Sequence, residues 1–271
     1  MANGNFGGGT GMPSTPWLVE DAADLNAVRN SLGANYKQVA NISLSGYAEW
    51  IPIGAIFSGT YDGNDYTVSN VTCTDSYTRT GLFATNSGSI FNLGVENVNY
   101  VSGSSYVGGL VGRNDGTITN CYSTGNVTGS NYVGGLVGRN YVSGTITNCY
   151  STGNVTGSGS VGGLVGYNSY GAISNCYSTG NVSGSGSVGG LVGYNGYGAI
   201  TNCYSTGNVT GSSYVGGLVG YNYGTIISNC YALNSYINRN NGAEAISFGD
   251  ITGSGTATTS YSLDTMQFIQ L

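Results

Sequence analysis

Between residues 106 and 231, apolar and polar positions alternate in runs of three to five residues, and the same runs return with a period of about 27 residues. The block Val107-Gly108-Gly109-Leu110-Val111-Gly112 recurs with leucines at 110, 136, 164, 191 and 218, at steps of 26, 28, 27 and 27. A second block, Asn-Cys-Tyr, sets Cys121, Cys149, Cys176 and Cys203 at one constant interval ahead of Leu136, Leu164, Leu191 and Leu218, and Cys230 closes the series. The interval from leucine to cysteine varies instead, shortest from Leu110 to Cys121 and longest from Leu136 to Cys149. Length variation therefore falls in one corner, where Arg113-Asn114-Asp115-Gly116 becomes Arg139-Asn140-Tyr141-Val142-Ser143-Gly144. That corner reads as a tolerant loop. Runs of Val, Ile, Thr, Tyr and Ser with period two are short strands, and Gly-Asn and Asn-x-Gly joints supply the positive-φ turns between them. Stacked copies pair each strand in parallel with its equivalent one coil away, at about 4.8 Å. The expected fold is all-β: a parallel β-helix, or β-solenoid, of about 27 residues per coil, right-handed by the general rule for parallel connections.

Degenerate copies continue upstream. Val68-Ser69-Asn70-Val71 and Ile90-Phe91-Asn92-Leu93 align with Ile118-Thr119-Asn120-Cys121, and Gly81-Leu82-Phe83 with the Gly-Leu-Val block. This predicts about seven coils over residues 57–231, with consensus repeats at 106–231. It leaves 1–56 as an N-terminal cap region and 232–271 as an irregular C-terminal coil or cap, in which Ser260-Tyr261-Ser262 is a candidate extra turn. One helix is expected, over 21–32: Leu25, Val28 and Leu32 share a face, Asp21 and Asp24 stand in the first turn, and Gly33 follows the end. Placed over the first coil, it acts as a cap, because an open solenoid end invites end-to-end or side-by-side self-association.

The repeat sorts side chains into columns. Cys121, Cys149, Cys176, Cys203 and Cys230 share a column with Val71 and Leu93, so it reads as apolar core with buried free thiols rather than disulfides. Cys73 falls outside it. Asn120, Asn148, Asn175, Asn202 and Asn229, with Asn70 and Asn92 upstream, read as an amide ladder in which each side chain donates to the next coil. Tyr122, Tyr150, Tyr177, Tyr204 and Tyr231 follow the cysteines and so face outward. A second tyrosine set gathers at the variable corner: Tyr141, Tyr167, Tyr170, Tyr194, Tyr197, Tyr221 and Tyr223. Such rows either stack coil upon coil or form a stripe that contacts glycans or another surface. Asn126, Asn154, Asn181 and Asn208 each open an N-glycosylation acceptor pattern, which recurs because the repeat recurs. Asp62-Gly63-Asn64-Asp65 reads as a tight turn rather than a calcium loop.

Composition narrows the chemistry. Forty-nine of 271 residues are glycine, and most fall at the turn positions of the coil. Charged residues are 7 % of the chain, against about a quarter in ordinary domains. Six Lys and Arg cannot build a nucleic-acid surface. No apolar run is long enough to insert in a membrane. With no histidine, imidazole acid/base work and His-ligated metals are unavailable, and no metal or cofactor is expected. Between Asp115 and Glu244 there is no Asp or Glu, so the regular coils offer no carboxylate pair for glycosidic cleavage or uronate abstraction. Acids concentrate in the N-terminal third (Glu20, Asp21, Asp24, Glu49, Asp62, Asp65, Asp75, Glu96), where any active site would have to lie. A flat ice- or mineral-binding face would want a regular Thr-x-Thr column, which the repeat lacks. Met1–Thr15 has neither a basic nor an apolar stretch of a Sec signal peptide.

The units from Val107-Gly108-Gly109-Leu110-Val111-Gly112 through Asn120-Cys121-Tyr122-Ser123-Thr124-Gly125-Asn126-Val127 resemble the GLUG repeat of bacterial, archaeal and phage surface proteins. Upstream, Pro16-Trp17-Leu18-Val19, Ile42-Ser43-Leu44-Ser45-Gly46, Trp50-Ile51-Pro52-Ile53-Gly54 and Phe57-Ser58-Gly59-Thr60-Tyr61-Asp62-Gly63-Asn64 resemble the region that often precedes such repeats. Asn41 and Ser43 stand where relatives commonly carry Asp, so the likeness implies no cation site there. What it implies is a non-enzymatic structural or adhesive module of a cell surface or virion, phage tail fibres included, with a surface glycan as candidate partner. The alternative is a polysaccharide-processing lyase or glycosidase on the same scaffold.

Overall fold

A computed structural model describes residues 6–74, 77–101, 105–223, 227–239, 252 and 261–262. It is a parallel β-solenoid, as the repeat predicts. Ladders of short strands run along the axis, every pair between coils parallel. The longest regular ladder has nine strands, from Trp17–Val19 through Asn35–Gln38, Thr60–Asp62, Ser89–Phe91 and Thr117–Thr119 to Ile227–Ser228. Two six-stranded sheets carry the two halves of the Val-Gly-Gly-Leu-Val-Gly block, from Arg79–Thr80 to Tyr214–Gly216 and from Phe83–Asn86 to Val219–Asn222. The fourth sheet holds the Tyr-Ser strands and the Val strands that follow them.

Pairing is in register, so each core position meets its own copy. Ile90, Ile118, Ile146, Ile173, Ile200 and Ile227 form one buried column; Leu110, Leu136, Leu164, Leu191 and Leu218 form another. Asn92, Asn120, Asn148, Asn175, Asn202 and Asn229 end the isoleucine strands at φ between 52 and 54°. Asparagine tolerates that left-handed backbone better than other side-chain-bearing residues, which is why it holds this corner.

Three upstream expectations change. Val68 pairs with Ile42 and Val95, not with Ile90, whose partner is Tyr61. Val68-Ser69-Asn70-Val71 thus lies on the next sheet, and Asn70 belongs with Asn97, which also has positive φ. Early coils end strands with left-handed asparagines at two corners, so the tetrapeptide alone does not say which. Second, strands within 17–43 join the ladders, and the solenoid begins at Trp17 rather than at residue 57.

Third, the helix is shorter than 21–32. Asp21 caps α1 (Ala22–Ala27), its carboxylate accepting from the amides of Ala23 and Asp24, and one 3₁₀ turn, Val28–Asn30, follows. Helical geometry stops before Leu32 because the Leu32 carbonyl accepts from the amides of Ser58 and Gly59 in the next coil. α1 is the crossover between the parallel strands Trp17–Val19 and Asn35–Gln38, and Leu25 and Val28 are fully buried. At the other end Ile237–Arg239 pairs with Val209–Gly211, and Tyr261–Ser262 with Tyr231–Ala232. Thr252 bridges Val219 in parallel, and residues 240–251, 253–260 and 263–271 of the expected C-terminal cap lie outside the described residues.

Candidate functional site

The interior is not wholly apolar. Asn86, Asn114, Asn140, Asn168, Asn195 and Asn222 sit inside the coil, almost fully buried, although Asn114 and Asn140 fall in the stretch expected to be a tolerant loop. Each amide donates to the carbonyl oxygen of its copy one coil on, at 2.8–2.9 Å from Asn86 through Asn195. The same nitrogen also donates to a backbone carbonyl just downstream: Gly116 from Asn114, Gly144 from Asn140, Gly171 from Asn168, Gly198 from Asn195. Those partners lie two, four, three and three residues away. The amide therefore pins the exit of the corner whatever its length. A signal was present, since asparagine stands four residues after every block leucine from Leu82 to Leu218.

Cys121, Cys149, Cys176, Cys203 and Cys230 are buried free thiols in one column. Each sulfur from Cys149 to Cys230 accepts a long hydrogen bond, 3.4 Å, from the amide of the cysteine one coil earlier. Burial pushes the Cys149 and Cys176 thiols up; contact with the preceding sulfur is the larger cause at Cys203 and Cys230. Cys73 is equally buried. Its register partner is Tyr100, which pairs in turn with Val127, so it belongs to the valine column of the next sheet. None of the six should react with a maleimide in the native protein, and all six should react in denaturant, counted by intact mass. Fast native labelling of Cys176 would displace the column from the core.

The outer amide ladder runs backwards along the axis. Asn120, Asn148, Asn175, Asn202 and Asn229 each donate to the copy in the preceding coil at 3.0–3.2 Å, and Asn92 closes the series on the Asp62 carboxylate. Expected to donate to the next coil, these side chains point the other way because the left-handed backbone turns each amide back.

Tyr122, Tyr150, Tyr177 and Tyr204 stack with centroids 4.8–4.9 Å apart and ring planes within 4°. Tyr231, 38 % exposed, extends their strand ladder and is followed in register by Tyr261. Strand spacing equals ring spacing, so each inner ring covers its neighbours' faces and turns only its edge and hydroxyl outward. The Tyr122 hydroxyl donates to Glu96 at 2.7 Å. The corner tyrosines form two separate rows. Tyr167, Tyr194 and Tyr221 continue the column that begins Thr85, Arg113, Arg139, while Tyr170 and Tyr197 stack apart, with Tyr223 edge-on. Tyr141 joins neither row; Arg113 and Arg139 hold it at 4.4 and 4.3 Å.

Burial raises the pKa of seven phenols: Tyr36 to about 12, and Tyr61, Tyr100, Tyr122, Tyr150, Tyr177 and Tyr194 upward, with Glu96 adding to the shift at Tyr122. A raised acid holds its proton more tightly when folded, so stability is intact below the unfolded value near 10 and falls as pH rises through the folded values. Denaturant midpoints should be flat from about pH 6 to 7.5, begin to fall above about 8 as the unfolded chain's thiols ionise while the buried Cys149, Cys176, Cys203 and Cys230 hold their protons, and drop steeply above about 10 as the phenols follow. A flat profile to pH 12 contradicts this.

In-register coils, inward amides and outward aromatic rows define a ladder-stabilised parallel β-solenoid. The repeats themselves are five GLUG motifs, at residues 103–128, 129–156, 157–183, 184–210 and 211–235. The chain is 38 % identical over 137 residues to "Halomucin" of Haloquadratum walsbyi, a match covering 44 % of this chain and 2 % of that one. It is 35 % identical over 131 residues to a "Putative Gly-rich membrane protein" of Evansella cellulosilytica, covering 42 % and 15 %. The crystal structure of "a putative immunoglobulin A1 protease" from Bacteroides ovatus superposes with TM-score 0.76 at 25 % identity, over 94 % of this chain and 85 % of that one. Among the described residues no helix is long and apolar enough to cross a membrane.

Proposed function

We propose that this chain is a non-enzymatic structural module of a cell or virion surface, a stiff spacer whose outward rows make adhesive contacts, with glycans as the candidate ligand. The supporting observation is the inner amide ladder, unbroken from Asn86 to Asn222: coils that repeat their inward hydrogen bonding while their corners vary make a rod with a replaceable surface. The likeness of part of this chain to parts of a protein named halomucin and of one named a Gly-rich membrane protein supports a surface setting.

An enzymatic reading has one specific observation behind it, the name of the Bacteroides ovatus structure. Against it stand a chain without histidine and a stretch from 116 to 243 without a carboxylate. Incubation with immunoglobulin A1 and with a panel of cell-wall and capsular polysaccharides decides between them. The spacer reading expects no new peptide N-termini and no new reducing or unsaturated sugar ends; turnover of any of these overturns it. A glycan array on the intact protein, with Tyr177→Ala and Tyr204→Ala beside it, tests the adhesive row.

A further inference from the structure

The chain has six cationic side chains, and two of them, Arg29 and Arg79, meet in a cleft of about 720 Å³ between the first crossover and the coil of Phe83. Both are held in place. The Arg29 guanidinium lies 5.3 Å from the Trp50 ring and donates to the carbonyls of Asn26 and Ile51 at 2.9 and 3.0 Å. Arg79 donates from Nη1 to the Thr85 hydroxyl at 3.0 Å, while its Nε is buried with no hydrogen-bond partner. The described lining contains no carboxylate, and among the described residues the one ion pair is Arg113–Asp115, elsewhere. Two fixed guanidiniums with no counter-charge among the described lining residues offer what an anion needs, in a chain of net charge −6. Asn30 and Thr78 add polar groups to the lining, and an apolar and aromatic stretch stands beside them: Ile51, 54 % exposed, with Pro52, Ala55 and Tyr77.

We infer that this cleft binds an acidic sugar, its carboxylate on the two guanidiniums and the C–H face of its ring on the Ile51–Pro52–Tyr77 wall. The volume suits one to three pyranose rings, within the usual range for small-ligand sites. An acidic peptide would supply the charge but not a flat apolar face beside it. The cleft is remote from the Tyr122–Tyr231 row, and the inference does not rest on the spacer reading.

Trp50, against Arg29, is the reporter. Intrinsic fluorescence of the full chain is titrated with sialyllactose and with trigalacturonate, and with lactose and maltotriose as their uncharged counterparts. A saturable change is expected with at least one acidic sugar and none with the neutral ones; which acid responds separates a sialate from a uronate source. Arg79→Gln should weaken binding at least tenfold with an unchanged circular dichroism melt, and Arg113→Gln, outside the cleft, should leave it unaltered. Silence towards both acids, equal response to the neutral sugars, equal loss in Arg113→Gln, or tighter binding of a glutamate-rich hexapeptide would each overturn the assignment.

Discussion

Replacing Asn168 by leucine, which keeps the number and branching of its side-chain heavy atoms but is bulkier, is expected to destabilise the solenoid by about 3–6 kcal/mol, although no charge or surface contact is lost. The substitution takes a hydrogen bond from three buried groups: the Asn140 amide that donates to Asn168, the Asn195 carbonyl oxygen that accepts from it, and the Gly171 carbonyl at the corner. Each unsatisfied buried group costs about 1–3 kcal/mol, and no water replaces the amide in a column with almost no exposure. A melt followed by circular dichroism should shift down by about 10 °C or more, at roughly 2–4 °C per kcal/mol for a chain of this size. Asn175→Gly in the outer ladder is the matched comparison. Glycine accepts φ of 54°, and the neighbouring Asn148 and Asn202 amides are exposed to water, so a loss below about 1 kcal/mol is expected. Equal losses at the two sites would show that the inner ladder carries no special weight.

A single methyl group should do comparable damage at Gly162. A Cβ there would stand 2.1 Å from the Val165 carbonyl oxygen and 2.6 Å from the Gly193 amide nitrogen of the next coil. Both are backbone atoms, so no rotamer change relieves the overlap; the coils must move apart. The same approach recurs at Gly134 and Gly189. Gly162→Ala is therefore expected to cost at least the upper part of the usual overpacking range, about 3 kcal/mol, or to yield insoluble protein. Gly46, with nothing within 4 Å of a built Cβ, is the comparison: Gly46→Ala should leave the melting temperature within about 2 °C. A wild-type melt for Gly162→Ala would mean that the coils slide freely past one another.

The coil was legible because in-register stacking makes every column meet its own copy, so a residue's neighbour is its repeat and the period alone names the contact. Legibility fails where that identity breaks. Val68 and Ile90 both precede a left-handed asparagine, and only the pairing of Ile90 with Tyr61 shows that they lie on different sheets. Leu32 keeps helical spacing, yet its carbonyl is recruited by Ser58 and Gly59, a long-range bond no local pattern announces. Asn114 looked like loop because it borders a corner of variable length; it is buried because its amide is what ties that corner down. The outward direction of Tyr150 follows from strand alternation. That its faces are covered follows from parallel rings set 4.8 Å apart by the strand spacing, which only the stack reveals. Arg29 and Arg79 stand far apart in the chain with no shared motif, and their meeting depends on how the first crossover lies against the coils.

The inner amide ladder also bears on how such a chain changes length over evolutionary time. Along the axis each asparagine meets the asparagine before it and the one after it, and its bond to the corner carbonyl stays within its own repeat, so excising or duplicating one repeat rejoins like to like. Unequal recombination between near-identical repeats would therefore give a folded product at once, longer or shorter by about 4.8 Å. The reach of the protein becomes a trait adjustable in fixed increments, without a new interface having to be selected at each step.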